Sequence, residues 1–169
     1  MKIKKIHFVG IKGVGMTPLA IITKEAGIEV SGSDVPEHFI TDEELGAVGI
    51  VPLEEFDPVR VQGADLVITT SAHQGQENPE VKEALARGIL VLSQGEALGK
   101  FASGEILGRE NSEICIAGSH GKTTTTAMIA TMLSENKLDP SYCIGTGKVP
   151  SLGLSGHFGK GKYFVVEAD

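Results

Sequence analysis

Residues 118–124 read Gly-Ser-His-Gly-Lys-Thr-Thr and directly follow the apolar run 113–117. Glycines let backbone N–H groups turn inward on an anion, and a helix starting near Lys122 or Thr123 adds its positive dipole end. In such a phosphate loop the lysine spans the outer phosphates and the next hydroxyl ligates Mg²⁺. Gly118, Ser119, His120, Gly121, Lys122, Thr123 and Thr124 are therefore candidate ATP-binding residues, with Lys122 and Thr123 as catalytic candidates. The general pattern asks for a glycine five residues before Gly121, where Ile116 stands, so only the Gly-Lys-Thr end is present.

A second loop of this kind opens the chain. Gly10-Ile11-Lys12-Gly13-Val14-Gly15 follows the short apolar run 6–9 and precedes a helical pattern. Asp34 comes about 20 residues later, as a ribose-binding acid does in a dinucleotide fold. The N–H groups of Gly13, Val14 and Gly15 suit a pyrophosphate, and Lys12 is expected to add a positive charge beside it.

The elements that must hold these loops alternate as β and α. Strands are expected over residues 6–9, 28–31, 50–53, 64–69 and 89–92, and helices over 14–26, 41–48, 79–87 and 95–107. Thr41 and Glu44 have capping-box spacing. The polar stretch 109–113 reads as a linker. A second unit follows, with strands at 113–117, 142–144 and 163–166, a helix over 123–136, and a loop or hairpin over 145–162 with six glycines. The fold class is α/β: a Rossmann-like parallel sheet followed by the start of a P-loop ATPase unit.

Composition narrows the function. The chain has 169 residues and a net charge of −7, which disfavours non-specific nucleic-acid binding. No apolar run approaches membrane-spanning length. The basic start, Met1-Lys2-Ile3-Lys4-Lys5, is followed by a strand rather than a signal-peptide core. Cys115 and Cys143 lie in apolar runs and are expected to be buried, reduced thiols, which favours a cytoplasmic protein. Among the histidines, His7 is expected to be structural and His73 a solvated loop residue. His120 is expected either to touch phosphate or to stabilise its own loop. His38 and His157 carry no signal.

The two loops together resemble the Mur ligase family, which adds amino acids to the UDP-linked peptidoglycan precursor. Besides residues 10–17 and 118–125, the resemblance rests on Gly32-Ser33-Asp34, Ser71-Ala72 with Asn78-Pro79-Glu80, and the closing Val165-Val166-Glu167-Ala168-Asp169. Lys12 stands where that family usually has glycine, and Ser119 where it usually has threonine. The resemblance implies UDP-sugar binding by Gly10, Lys12, Gly13, Val14, Gly15, Asp34, Ser71 and Ala72. It also implies Glu167 as a Mg²⁺ ligand beside Thr123, with Asp169 as a further catalytic candidate. ATP and Mg²⁺ are the implied cofactors, and UDP-N-acetylmuramate and L-alanine the implied partners.

By the same resemblance, residues 1–108 are the UDP-sugar-binding domain and 109–169 the opening of the central ATP-binding domain. The chain is then expected to be a fragment, inactive alone. Two other readings stay open: a nucleotide-binding regulatory module, or an NAD-dependent oxidoreductase domain judged from the first loop alone. Residues 113–169 offer too few partners for their own apolar side chains. They must pack on the first unit or against a second copy, and a homodimer is the favoured expectation.

Overall fold

Short apolar runs, each closed by a polar or glycine turn, assemble into two sheets in the computed structural model, which describes residues 3–168. Met1, Lys2 and Asp169 lie outside the described residues, and with them the role expected of Asp169. The first sheet takes β1 (Lys5–Val9), β2 (Glu29–Asp34), β3 (Leu53–Glu54), β4 (Leu66–Thr69) and β5 (Leu90–Ser93). All pairings are parallel, in the order β3-β2-β1-β4-β5. The order reverses between β1 and β4, which is where open α/β sheets leave a crevice beyond their carboxyl ends. Helices α1 (Thr17–Glu25), α2 (Asp42–Ala47) and α3 (Pro79–Ala86) connect its strands, a 3-10 turn at Pro58–Val61 joins β3 to β4, and α4 (Gln94–Ala102) leads on to the second sheet.

The second sheet holds β6 (Ser112–Ile116), β7 (Ser141–Cys143), β8 (Gly156–His157) and β9 (Tyr163–Glu167), in the order β6-β9-β7-β8. Only β8 runs antiparallel to its neighbour. Helix α5 (Lys122–Glu135) covers one face, over Tyr142, Ile144 and Val165.

The other face of that sheet answers how the second unit is stabilised. Cys143, Phe164 and Val166 join one apolar cluster with Ile6, Phe8, Leu19, Ile22, Ala97 and Phe101 of the first unit. Of the two packings that sequence allows, this is docking on the first unit, through α1 and α4. Residues 109–111 are not a loose linker. Arg109 donates to the Gly159 carbonyl (2.9 Å) and the Ser141 hydroxyl (3.2 Å), and its guanidinium lies 4.7 Å from the centre of the Phe158 ring. Asn111 donates to the Ala102 carbonyl at 3.1 Å.

Several local expectations change. Helix α1 starts at Thr17, because residues 10–16 are spent on the phosphate-type turn. The third strand shifts to Leu53–Glu54, where it can pair with Ser33 and Asp34, while Ile50 goes into the core. Thr41 and Glu44 form no capping box: the Thr41 hydroxyl donates to the Lys12 carbonyl, and the Glu44 carboxylate accepts from the Ser155 amide. The box forms instead at Ser93 and Glu96, ahead of α4. Cys115 is exposed, because β6 is an edge strand, and only Cys143 is buried.

Phe164 is fully buried within the shared cluster. Phe164→Ala should therefore cost about 3–5 kcal/mol and lower the stability of both sheets in a single transition. Urea unfolding followed by amide exchange checks this; loss of protection confined to the second sheet would contradict a shared core.

Candidate functional site

Strand β1 ends at Gly10, whose φ of +82° is accessible to glycine at little cost. The amides of Gly10 and Ile11 both donate to the Ser33 carbonyl, at 2.9 and 3.2 Å, and the Gly13 amide donates to the Gly10 carbonyl. These bonds fold residues 10–16 into a turn at the head of α1. The amides of Val14 and Gly15 have no acceptor among the described residues, and Val14 is exposed. They are the donors this turn offers an anion.

Two of the residues expected to touch a ligand here are occupied with the loop itself. Asp34 is 1% exposed. It accepts from the Lys12 amide (2.7 Å) and the Val35 amide (2.8 Å), and His73 Nε2 lies 3.3 Å away. The acid thus fixes the turn, and its carboxylate is not presented to solvent. Lys12 is also buried. Its ammonium donates to the carbonyls of Val35 (3.0 Å) and Glu37 (2.9 Å), 3.8 Å from Asp42 and 5.6 Å from the Phe39 ring centre. The expected charge beside a pyrophosphate is spent on the 35–42 segment, since a buried ammonium needs acceptors.

Ser71 and Ala72 are exposed in the loop after β4. They directly precede His73, which is not solvated as expected: besides its pairing with Asp34 it sits 5.3 Å from the Phe56 ring. A second cleft, of about 410 Å³, is lined by His73, Phe56, Val35, Pro36, Gln74 and Asn78. The signal that could have found His73 is its place just past the end of β4, at the strand-order reversal. His7 is structural as expected. It is fully buried, with Nδ1 2.9 Å from the Ser31 hydroxyl and Nε2 3.2 Å from Glu80.

The second loop is open. Residues 117–121 are exposed between β6 and α5, and Gly121 takes the N-cap position of α5 with φ +75°. Lys122 Nζ donates to the Gly118 carbonyl at 3.0 Å, folding back over the loop. His120 Nδ1 lies 3.2 Å from the Ser119 hydroxyl, within its own loop. Thr124 is exposed beside it. Thr123 donates its hydroxyl to Glu167 Oε2 at 3.0 Å, and Glu167 Oε1 accepts from the Gly145 amide at 2.7 Å. A hydroxyl and one carboxylate at the mouth of a phosphate loop suit Mg²⁺, which takes few protein oxygens beside water and phosphate. Among the described residues there is no cluster of three or more acidic, His or Cys side chains of the kind a softer or fully protein-caged metal needs.

The two loops meet. A cleft of about 550 Å³ is lined by Val14, Gly15 and Gln94 from the first unit and by Lys122, Thr123, Glu167, Cys115 and Cys143 from the second. Gln94, at the start of α4, was not foreseen. It donates to the Gly15 carbonyl at 3.4 Å. Burial, reinforced by the Glu167 charge, raises the Cys143 thiol far above its usual value, so it stays protonated.

Comparison with known proteins identifies the family and the fold. Residues 5–105 match the model of the Mur ligase family, catalytic domain. The chain is 42% identical over 168 residues to the UDP-N-acetylmuramate–L-alanine ligase of Koribacter versatilis, covering 99% of this chain and 34% of that protein. It is 39% identical over 170 residues to the ligase of the same name from Symbiobacterium thermophilum, covering 33% of it. Among solved structures, the UDP-N-acetylmuramate–alanine ligase of Thermotoga maritima superposes with a TM-score of 0.81 at 31% identity, over 96% of this chain and 36% of that one. The chain thus spans about a third of the length of the curated relatives it matches. With a family model covering more than half of it, and relatives matching along all of it, the chain belongs to the Mur ligase family.

Proposed function

We propose that this chain carries the substrate- and ATP-facing part of an enzyme of peptidoglycan precursor synthesis, a ligase that joins L-alanine to UDP-N-acetylmuramate. Its proposed boundaries are residues 1–108 for UDP-sugar binding and 109–169 for the opening of the ATP-binding domain. The observation that carries this reading is the shared cleft: a glycine turn with two unengaged amides faces Lys122 and the Thr123–Glu167 pair across one cavity. Two nucleotides held at these loops would bring a sugar carboxylate and a terminal phosphate towards each other. No helix among the described residues is long and apolar enough to cross a membrane, and a cytoplasmic site of action fits that.

Ligation of this kind proceeds in two steps. The carboxylate takes the γ-phosphoryl of ATP to give an acyl phosphate, and the amine of alanine then displaces phosphate. The protein's share of the first step is alignment and charge neutralisation. Lys122 would move from the Gly118 carbonyl to the β- and γ-phosphates, and the start of α5 would direct its amides at the same oxygens. Thr123 and Glu167 would hold Mg²⁺, which when bound neutralises phosphate charge. The Gly145 amide keeps Glu167 in place for that task. From the first unit, Val14 and Gly15 would donate to the diphosphate of the UDP-sugar. Asp34 and Lys12 act one layer back, as positioning residues for the turn and for the 35–42 segment. The second cleft, lined by Phe56 and His73, would take the base of the UDP-sugar.

Three outcomes test the reading. Mg-ATP at about 100 times its Kd should stabilise the chain by about 2.7 kcal/mol, and Lys122→Ala should abolish the shift. An equal shift in that variant would remove the loop from the nucleotide site. For the first loop, a Cβ on Gly10 would sit 2.4 Å from Thr70 Cγ2 at a positive φ, whereas one on Gly13 meets nothing nearer than 3.5 Å. Gly10→Ala should therefore weaken UDP-N-acetylmuramate binding about tenfold or more, roughly 1.4 kcal/mol, and Gly13→Ala should change it little; calorimetry giving the reverse order would refute the assignment. The chain alone should release no alanine-dependent phosphate, and steady turnover lost in Lys122→Ala would overturn that.

A further inference from the structure

Strand β8 and the adjoining Phe158 lie against α1, and they are pinned there by charge. A Cβ on Gly156 would lie 2.4 Å from the Pro18 carbonyl oxygen, so β8 presses directly on the start of the helix. At the other end of the helix, Glu25 reaches back to accept from the Phe158 amide at 2.6 Å and lies 2.9 Å from His157 Nδ1. The other ring nitrogen, Nε2, lies 3.2 Å from Asp139, whose second oxygen accepts from the Lys160 amide at 2.8 Å. One imidazole thus bridges two carboxylates, one from each unit, and only its doubly protonated form can donate to both.

We propose that His157 is a proton-dependent positioning residue that fixes how the second sheet sits on α1, and with it how the two glycine loops face each other. The mechanical link is short. Helix α1 follows the first loop without a break. Strand β8 pairs with β7, which runs into Gly145, the residue that holds Glu167. A slide of β8 along α1 therefore carries Glu167 and Thr123 past Val14 and Gly15.

The groups facing His157 all bear on its charge. Glu25 comes from α1, Asp139 from the turn after α5, and Tyr142 from β7, its ring centre 5.6 Å away. Lys160 and Arg109 stand behind Asp139 and Phe158. The hydrogen bond to Glu25 first, and the one to Asp139 after it, raise His157 above the usual 6.5. Burial pushes Glu25 up, but the hydrogen bonds from His157 and the Phe158 amide together outweigh it and hold the carboxyl low. A group raised on folding stabilises fully below its unfolded value and loses that contribution as pH rises through its folded value. The pin is therefore engaged in mild acid and released in alkali, when the neutral ring leaves Glu25 and Asp139 facing each other as two anions.

NMR on the whole chain tests this without reference to any nucleotide, so its failure would leave the ligase reading intact. The His157 ring resonance should titrate above 6.5, and its midpoint should fall in Glu25→Gln. Residual dipolar couplings should fit both sheets to one common orientation at pH 6. At pH 9 they should require a changed angle between the sheets, and His157→Gln should show that changed angle at both pH values. Unaltered inter-sheet couplings in the wild type across the titration, or in His157→Gln, would overturn the proposal.

Discussion

Helix α1 has no solvent-facing side from Thr17 to Thr23, and the arrangement of the molecule depends on that burial. A helix apolar all round must be covered all round. The first sheet covers one side through Ile6, Phe8 and Ile68, and the second sheet supplies Cys143 and Phe164 towards the other. The two hydroxyls within the helix are satisfied locally, Thr17 by the Ile11 carbonyl at 2.8 Å and Thr23 by the Leu19 carbonyl at 2.7 Å. Because α1 begins at one glycine loop and packs against the sheet that carries the other, its burial also brings the two loops to one cleft.

Buried or half-buried carboxylates do the remaining positioning, and they do it through backbone amides. Asp34 holds the first turn, Glu167 holds residue 145, Glu44 takes the Ser155 amide, and Glu25 takes the Phe158 amide. A carboxylate accepting from a main-chain N–H makes a charge-assisted bond stronger than a neutral pair. Three of these four cross long sequence separations to the 145–158 stretch. That stretch has little regular structure of its own, and its shape is imposed from outside.

The α/β class, both glycine loops and nearly every element were legible in the sequence, because strand–glycine–helix punctuation is local. The errors share a cause. Thr41 and Glu44 have the right spacing for a cap, but partners 29 and 111 residues away take their side chains. Lys12 and Asp34 belong to a phosphate-type loop by position, yet burial demanded that each be neutralised within the protein. Residues 109–111 are polar enough to read as a linker, and their polarity is what bonds them to Gly159, Ser141 and Ala102. His73 and His157 each gain a carboxylate partner from a distant segment, and no periodicity reports such a pairing. That residues 113–169 need a partner followed from their lack of a core, but the favoured partner, a second copy, is not what covers Cys143 and Phe164: the first unit covers them.

The central claim is that one cleft presents two phosphate-binding turns to each other. Paramagnetic broadening by Mn²⁺–ADP, with Mn²⁺ standing in for Mg²⁺, tests it most directly. With the metal held at Thr123 and Glu167, amide signals of Val14, Gly15 and Gln94 should broaden together with those of residues 118–123, although Val14 and Gly15 lie about 100 residues away in sequence. Broadening confined to residues 118–123, with Val14 and Gly15 unaffected, would contradict the account.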